Sequence, residues 1–473
     1  MIKLLLGTFC SIFLLVGSAV IYYWRDIQFA PSALDLWSYL IVIPLILSLI
    51  LLSPYLISRA YQANQKRKAQ QQRSEQQNTA DYPSENAVKS DGVQWLHLNI
   101  FSSFTFNALG ENKSIIEQLK NFKSPELDYD LTNGYGLPVL SYRIAALDEM
   151  LENQQNEQDD EEEQGRLQRI KALIQYQLEQ QTEILWQIAE HLKQSAFFYD
   201  NELAYQYRMH PAWIDPVDHT GQEEDRPVQV EQVSRLNRLN IHVLLADNLV
   251  HVWNESSNNK KLLNFAESLG IISQQIHIEH HFLSHETGYQ DWLNLLQHVA
   301  TQSHEISLII NVDSEIDQEF LDEKTWLSDH YLAAEFSSSW CLTAQNQEIN
   351  HIDALRTLKV ALNVSDLSTC FHQVVPHHSQ HIQQEQPFVL ILDDPTEIKM
   401  IKKTNQVFAP TLIEMHHFLF TQPCFGHTQQ LAKIFGFMLG MHLPEDLTAM
   451  IYSLDQASTH AFFQARIEEN PSA

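Results

Sequence analysis

The chain has 473 residues, of which 44% are hydrophobic and 10% aromatic, so a disordered composition is excluded and a folded body with a large core is predicted. The 59 Asp and Glu against 30 Lys and Arg give a formal net charge of −29. Because such a body repels phosphate backbones, we expect no nucleic-acid partner. The four cysteines show no CxxC spacing and predict no disulfide framework: Cys10, Cys341, Cys370 and Cys424.

Two uncharged apolar segments near the N-terminus, residues 4–23 and 37–57, predict a transmembrane helical hairpin. Each is long enough to cross the hydrocarbon core, about 30 Å at 1.5 Å per residue. Aromatic side chains flank the short loop between them, as in an interfacial belt. A cleaved signal peptide is the alternative for the first segment, and it is disfavoured because a second span follows directly.

The distribution of charge predicts the orientation of this hairpin. Through Glu75 there are seven Lys and Arg against three Asp and Glu, so the remainder carries about −33. Five of the basic residues lie just beyond the second segment, and the positive-inside rule then places both termini in the cytoplasm. A bacterial inner-membrane protein is predicted. Residues 60–91 are polar and Gln-rich, which is typical of a flexible tether.

The rest of the chain predicts an α/β or α+β fold with a mixed sheet, divided into an N-terminal subdomain, 92–215, and a C-terminal α/β subdomain, 216–473. The first subdomain opens with a strand from Val93 and a helix from Ser114, has an acidic insertion at 152–166, and has helical spacing over 167–198. Strands and helices then alternate. Predicted strands cover 241–245, 275–278, 306–312 and 387–392, and predicted helices cover 260–269, 289–301, 411–419 and 429–441.

The strongest catalytic signatures are absent: the sequence has no phosphate-binding loop, no GxGxxG, no GxSxG and no HExxH. Histidines are frequent, 23 in all, and pairs at helical spacing such as His281 with His285, or His377 with His381, could ligate zinc. Because no further ligands are fixed, surface histidines are the favoured interpretation. No catalytic, cofactor-binding or metal-binding residue is therefore predicted, and no cofactor.

Three other residue groups have a functional and a structural interpretation. Cys341, or Cys424 near His427, could be a nucleophile, but a lone cysteine is more often a small buried hydrophobe. Asp313 and Asp317 end the strand predicted at 306–312, where functional residues of α/β folds often lie. N-capping of the next helix by Asp313 or Ser314 explains these residues as well and is preferred.

The order of the parts resembles the type VI secretion lipase adaptor family. The resemblance is carried by the N-terminal hairpin, the polar tether, the opening segment VQWLHLNIFSSFTFNALGENKSIIEQLKNF from Val93, and NGYGLPVLSYRI from Asn133. It implies a membrane-tethered bacterial adaptor whose cytoplasmic body binds a secreted effector, a phospholipase in this family, and helps to load it on the secretion spike. The implied partners are that effector and the spike protein.

A second likeness concerns the fold. LIINVDSEIDQEFLDEK from Leu308 and PCFGHTQQLAKIFGFMLG from Pro423 are similar to the C-terminal half of the thiolase or ketoacyl-synthase fold. The catalytic cysteine of that family is not matched, since the soluble region has no cysteine before Cys341. A degenerate, binding-only version that is not an enzyme is therefore predicted.

The predicted function is effector binding through a buried protein interface. Candidate anchors are four tryptophans, for which the core is the alternative location: Trp213, Trp253, Trp292 and Trp340. Two other classes remain open. One is a membrane-tethered enzyme with a thiolase-like or metal-dependent hydrolase site, and the other is a structural subunit whose hairpin makes the contacts.

Overall fold

The computed structural model describes residues 94–155, 165–213, 232–284, 286–325, 331–362, 389–393, 398–409, 413–421, 425, 429–443, 449–453 and 459–464, together with Tyr22, Arg25 and Asp26. The chain divides into two compact units, Met1–Ser90 and Asp91–Ala473. The predicted spans at 4–23 and 37–57 and the tether at 60–91 lie outside the described residues, Tyr22 excepted. Within the described residues, none of the helices combines the length and apolar character that crossing a membrane requires.

One mixed β-sheet runs through the second unit. Its order is β11-β10-β12-β13-β9-β1-β8-β7-β5-β6, with β2 paired to β1 and a β3–β4 hairpin attached to β8. Pairs β5–β6, β5–β7, β10–β11, β10–β12 and β4–β8 are parallel and the others antiparallel. The predicted mixed α/β fold is thereby confirmed. The strands are β1 Gln94–Asn107, β2 Gly110–Glu111, β3 Glu126–Thr132, β4 Pro138–Tyr142, β5 Arg238–Ala246, β6 Ile276–Leu283, β7 Glu305–Ser314, β8 Ala333–Ala344, β9 Arg356–Leu362, β10 Val389–Ile391, β11 Phe418–Phe420, β12 Ala449–Ser453 and β13 Thr459–Gln464.

Helices cover both faces of the central strands. The described helices are α1 Lys113–Lys120, α2 Ala145–Gln155, α3 Gly165–Gln180, α4 Thr182–Tyr199, α5 Asn201–Met209, α6 Glu255–Ser268, α7 Gly288–Thr301, α8 Gln318–Thr325, α9 Ile398–Phe408 and α10 Gln429–Leu439. Helix α3 packs on β7 and β8, whereas α7 and α10 pack on β8 and β1. Aromatic rings fill the second interface, with Trp292 of α7 5.7 Å from Phe437 of α10 between ring centroids.

Strand β8 shows how the two faces differ. Ser337 and Ser339 face α3, where the side chain of Gln177 donates to Ser337 Oγ at 2.7 Å and accepts from Ser339 Oγ at 2.6 Å. The alternate residues face α10, and the ring of Phe336 lies 5.0 Å from that of Phe435. A polar layer on one side and an apolar layer on the other therefore bury the whole strand, apart from its last residue.

Several sequence predictions are corrected by these elements. The helical stretch 167–198 is two helices that meet at Gln181, whose side chain donates to Ser339 Oγ at 2.8 Å. The predicted helix at 411–419 is wrong: Met415–His417 form one 3-10 turn and strand β11 follows. The continuous apolar run predicted at 306–312 is confirmed as part of β7, which is buried on both faces beyond its first residue. Strand β1 lies between β8 and β9, so strands of both predicted subdomains share one sheet.

Candidate protein-binding surface

The hairpin of β3 and β4 exposes an apolar face. Leu127 and Leu140 pair across the two strands, and both side chains are half exposed. Tyr129 lies two residues further along β3, where the pairing is irregular between Asp128 and Thr132, and is 77% exposed. At the tip, Tyr135 is 91% exposed and Leu137 more than half exposed. An exposed apolar face on a folded body is typical of a surface that binds another protein.

Phe122 is a further exposed aromatic residue, in the loop that precedes the hairpin. It lies in the loop between α1 and β3, is 83% exposed, and has a φ of 51°. That left-handed conformation is disfavoured for a bulky side chain. A large aromatic held exposed in a strained loop costs the free chain stability, which favours a role in contact with another molecule. We call the following six residues the hairpin surface: Phe122, Leu127, Tyr129, Tyr135, Leu137 and Leu140.

Local sequence fixes the tip of the hairpin. The side-chain oxygen of Asn133 accepts hydrogen bonds from the backbone N–H groups of Tyr135 and Leu137, each at 3.0 Å. The Asn133 carbonyl accepts from Gly136 N at 2.8 Å, and Gly136 has a φ of 72°, which glycine adopts without a steric penalty. The tip is therefore a defined turn, and its two exposed apolar side chains are presented in a fixed arrangement.

A buried carboxylate holds the opposite face of the hairpin. Asp128 of β3 accepts from Ser141 Oγ of β4 at 2.9 Å and from Arg143 Nε at 2.8 Å. Burial acts to raise the pKa of Asp128, but the hydrogen bonds from Arg143 and Ser141 outweigh it, and the pKa is lowered. Asp128 is therefore charged at neutral pH, and its hydrogen bonds join the two strands on the buried face of the hairpin.

This pair continues into a deeper ionic network. Arg143 also donates to Asp148 of α2 at 3.2 Å, and the same carboxylate oxygen contacts Arg169 of α3. Arg169 in turn donates from two of its nitrogens to Glu335 of β8, at 2.7 and 2.8 Å. Glu335 is 1% exposed and also accepts from the backbone N–H of Ile144, just after β4, at 2.6 Å. The base of the hairpin is thus connected to the central sheet by buried charge.

A second attachment joins the hairpin to α8. The side-chain amide of Gln318 accepts from the Thr132 N–H and donates to the Thr132 carbonyl, both at 2.8 Å. These are the two backbone hydrogen bonds that a neighbouring strand would make. A small apolar cluster lies beneath, formed by Leu131, Ile316, Leu321 and Ala333 with Val139 and Tyr331. With one face held in this way, the apolar face is pre-organised for binding and little order is lost when a partner docks.

The predicted tryptophan anchors lie elsewhere. Trp292 and Trp340 are fully buried, with ring centroids 6.0 Å apart, and Trp253 is 6% exposed. Trp213 is partly buried, with its indole N–H donating to the Gly270 carbonyl at 2.8 Å and Lys193 Nζ 3.9 Å from its ring centroid. Because three of the four have almost no exposed side chain, the structure places them in the core and offers none of them to a partner. The core was the alternative location predicted for these residues.

The other candidate residues that the structure describes are Cys341, Asp313, Asp317 and His281. Cys341 is fully buried in β8, and burial raises the pKa of its thiol. Asp317 Oδ1 accepts from Phe320 N at 2.9 Å and caps α8. The predicted caps do not: Asp313 is buried and paired with Arg166 at 2.9 Å, and Ser314 Oγ donates to Glu335 at 2.9 Å. His281 lies on a strand, not on the predicted helix face. Cys10, Cys370, Cys424, His285, His377, His381 and His427 lie outside the described residues.

No protein-family model matches the chain, and no curated protein matches it in sequence. Solved structures similar to it are of ketosynthases. The PfaC keto synthase-chain length factor shares 11% identity over 81% of this chain and 44% of its own, with a TM-score of 0.36. The AntDE:AntF complex, a type II PKS acyl-carrier protein with its ketosynthase, shares 11% over 79% of this chain and 100% of its own, with a TM-score of 0.35. The ketosynthase from module 6 of the bacillaene synthase from Bacillus subtilis 168 shares 8% over 78% and 71%, with a TM-score of 0.38.

The chain therefore spans less than half the length of the first of these structures. The prediction that the chain is not an enzyme is corrected, because the similar solved structures are of enzymes. That prediction rested on the absence of four short signatures and of the family's catalytic cysteine, which speaks against those catalytic sets and not against catalysis in general. With identities of 8–11% and TM-scores below 0.4, these structures transfer no catalytic residue or activity to this chain.

Proposed function

We propose that this chain is an adaptor of bacterial type VI secretion, and that the hairpin surface is where it binds a secreted effector, a phospholipase, before the effector is loaded on the spike protein. The observation that carries the proposal is the pre-organised apolar hairpin. Its tip and second strand are the segment NGYGLPVLSYRI, one of the segments that resemble the adaptor family. Binding of this kind is compatible with a catalytic activity elsewhere in the chain.

The size of the hairpin surface supports a role in binding. An aromatic side chain presents about 150–250 Å², so Phe122, Tyr129 and Tyr135 at 83%, 77% and 91% exposure present on the order of 500 Å² together. This is within the range of the largest apolar patch of a typical monomer, about 300–600 Å², before the three leucines are added. A standard interface buries about 800 Å² per partner. The hairpin surface with its polar rim is large enough to form the centre of such an interface.

Charge defines the character of the partner. Asp130 and Glu126 beside the hairpin surface have side chains 82% and 83% exposed, and each lies within 4 Å of a cation, Arg143 at 3.8 Å and Lys123 at 3.7 Å. The negative charge therefore comes from the chain as a whole, which carries −29. The encounter of a basic effector with the chain is accelerated by this long-range attraction.

The experiment is comparative affinity capture from the source bacterium. The tagged full-length chain is compared with a Leu127→Ala, Tyr129→Ala variant and with a matched control, Tyr205→Ala, Leu355→Ala. The control residues are 65% and 58% exposed and lie away from the hairpin. We expect a phospholipase and a spike protein to be recovered with the wild type and the control, and at least a tenfold loss of the phospholipase with the hairpin variant.

Recovery of the phospholipase by all three chains would assign effector binding to another surface. Recovery of no lipase by the wild type would refute the adaptor function itself. A complementary readout is export: cells that lack the chain should retain the lipase, and the control variant should restore its secretion where the hairpin variant does not.

The inner-membrane location, with spans at 4–23 and 37–57 and both termini in the cytoplasm, belongs to the same proposal, as does the finer thiolase-like fold. Loading of an effector before export requires the folded body in the cytoplasm. A reporter that is active in the cytoplasm should therefore be active when fused to the C-terminus, whereas a reporter that is active only outside the cytoplasm should be inactive there.

A further inference from the structure

A cluster of three metal-ligating side chains lies at the far edge of the sheet from β11. His242 projects from β5, and Glu279 and His281 project from β6, the last strand in the sheet order. His242 is the register partner of Glu279, and His281 is two residues further along the same strand, so all three lie on one face. This face is the one that α7 covers, since His242 pairs with Ile309 of β7 and Ile309 pairs with Trp340.

The potential ligand atoms form a nearly equilateral triangle. His242 Nδ1 lies 3.0 Å from His281 Nε2, and Glu279 Oε2 lies 3.5 Å from each of these nitrogens. Zinc binds imidazole and carboxylate at about 2.0–2.2 Å, and the ligands of a tetrahedral zinc ion are therefore about 3.3–3.5 Å apart. The carboxylate oxygen is too far from either nitrogen for a strong hydrogen bond, yet at the distance of a co-ligand.

The carboxylate of Glu279 is oriented by a hydrogen bond from a neighbouring residue, as the carboxylate ligands of metal sites are. The other oxygen of Glu279, Oε1, lies 2.9 Å from Nε2 of His277, which leaves Oε2 directed at the two imidazoles. His242 is 2% exposed, and its Nε2 has no hydrogen-bond partner among the described residues. Its Nδ1, which faces the cluster, is therefore the nitrogen through which this buried imidazole interacts.

The protonation states suit a cation. Burial and the neighbouring His281 lower the pKa of His242 to about 4, and burial lowers the pKa of His281. The hydrogen bond from His277 is the main reason why the pKa of Glu279 is lowered. At neutral pH the cluster therefore offers two neutral imidazoles and one carboxylate, the forms in which these side chains bind metals.

We propose that His242, Glu279 and His281 bind a zinc ion, with the fourth coordination position open to water or to a ligand that supplies an oxygen or sulfur donor. The side chains of His281 and Glu279 are 28% and 45% exposed, so an ion can reach the cluster from solvent. Two imidazoles and one carboxylate with an open position are the donor set of hydrolytic and not of purely structural zinc sites. The site is separate from the hairpin surface in the fold and does not depend on the adaptor function.

The experiment is a zinc titration of the full-length chain, purified in detergent and stripped with a chelator. Binding is measured in competition with a chelating dye for the wild type and for Glu279→Gln, His281→Gln and His242→Ala. Glu279→Gln preserves shape at an exposed position, so its folding is not at risk, and equal unfolding midpoints without metal confirm this. The control is His251→Ala, which removes an exposed histidine outside the cluster.

We expect one zinc ion per wild-type chain, at least tenfold weaker binding in each of the three variants, and no change in the control. Zinc should also raise the unfolding midpoint of the wild type but not of Glu279→Gln. Cobalt should give the intense visible absorption of a four-coordinate ion in the wild type alone. If Glu279→Gln and His281→Gln bind zinc as tightly as the wild type, the cluster is held by a hydrogen bond between two histidines and is not a metal site.

Discussion

Replacement of Glu335 tests whether buried charge holds the hairpin surface in place. The Glu335 carboxylate accepts four hydrogen bonds at 2.6–2.9 Å, two from Arg169 and one each from the Ile144 N–H and Ser314 Oγ. In Glu335→Ala the guanidinium of Arg169, 6% exposed, loses this partner and keeps its contact with Asp148. Removal of one member of a buried ion pair costs about 3–5 kcal/mol. We expect a loss near the lower limit, about 3 kcal/mol, because Asp148 still neutralises part of the charge.

The assay is urea-induced unfolding followed by tryptophan fluorescence, to which the buried Trp292 and Trp340 contribute. A double variant, Arg169→Met with Glu335→Leu, leaves neither charge unpaired and should recover most of the loss. Glu126→Ala is the control, since it breaks a solvent-exposed contact of 3.7 Å with Lys123 and should change stability by less than about 0.5 kcal/mol. The reasoning is refuted if Glu335→Ala costs less than about 1 kcal/mol, or if the double variant is as unstable as the single variants combined.

Three further predictions concern single residues. Burial and the nearby Asp313 raise the pKa of Glu315 to about 8 from an ordinary 4.5. Between these pH values the folded chain holds a proton that the unfolded chain releases. The free energy of unfolding therefore falls as the pH rises from about 4.5 to 8. Glu315→Gln should remove this pH dependence, so that between pH 5 and pH 8 its free energy of unfolding improves by at least about 1 kcal/mol relative to that of the wild type. An equal change in the free energy of unfolding of the two chains, measured with urea, would contradict this. Phe122→Asn should raise the free energy of unfolding by about 1 kcal/mol, because asparagine tolerates the left-handed conformation, while it weakens effector capture; a destabilised variant would show that the exposed ring supports the fold. Gly270→Ala should cost about 2–3 kcal/mol, since φ is +95° and the added Cβ would lie 2.5 Å from Trp213 Nε1; an unchanged unfolding midpoint would show that the indole moves aside freely.

Apolar periodicity predicted the strands whose sequences are mainly apolar or alternate regularly. β1, β5 and β7 carry alternating or continuous apolar runs, and each was predicted within a few residues. β8 was missed because Ser337, Ser338 and Ser339 interrupt its pattern, and their burial is offset by partners from distant helices, such as Gln177. No local rule relates a serine on one strand to a glutamine 160 residues earlier.

The candidate sites were less predictable than the fold, for a geometric reason. The predicted histidine pairs have helical spacing, whereas His281 lies on a strand and contacts His242 of the neighbouring strand, 39 residues earlier in the chain. The four tryptophans were candidates because of their residue type alone, and the structure buries three of them, Trp253, Trp292 and Trp340. The segment from Asn133 was singled out by resemblance before its exposure was known, and Asn133, Gly136 and the alternation of Leu127 with Asp128 were the local signals that could have predicted an exposed hairpin.

The position of β1 in the middle of the sheet has a consequence for biosynthesis. Ser103 of β1 meets Trp340 of β8 only after 237 further residues have been added. At about 5–20 residues per second, the ribosome needs roughly 10–50 s to deliver that partner. During this interval a 14-residue strand with apolar residues has left the ribosome before the strands that pair along most of its two edges, β8 and β9, have been made. Nascent chains of this protein are therefore expected to be clients of ribosome-associated chaperones, and slowing of translation upstream of β8 should increase aggregation of the newly made protein.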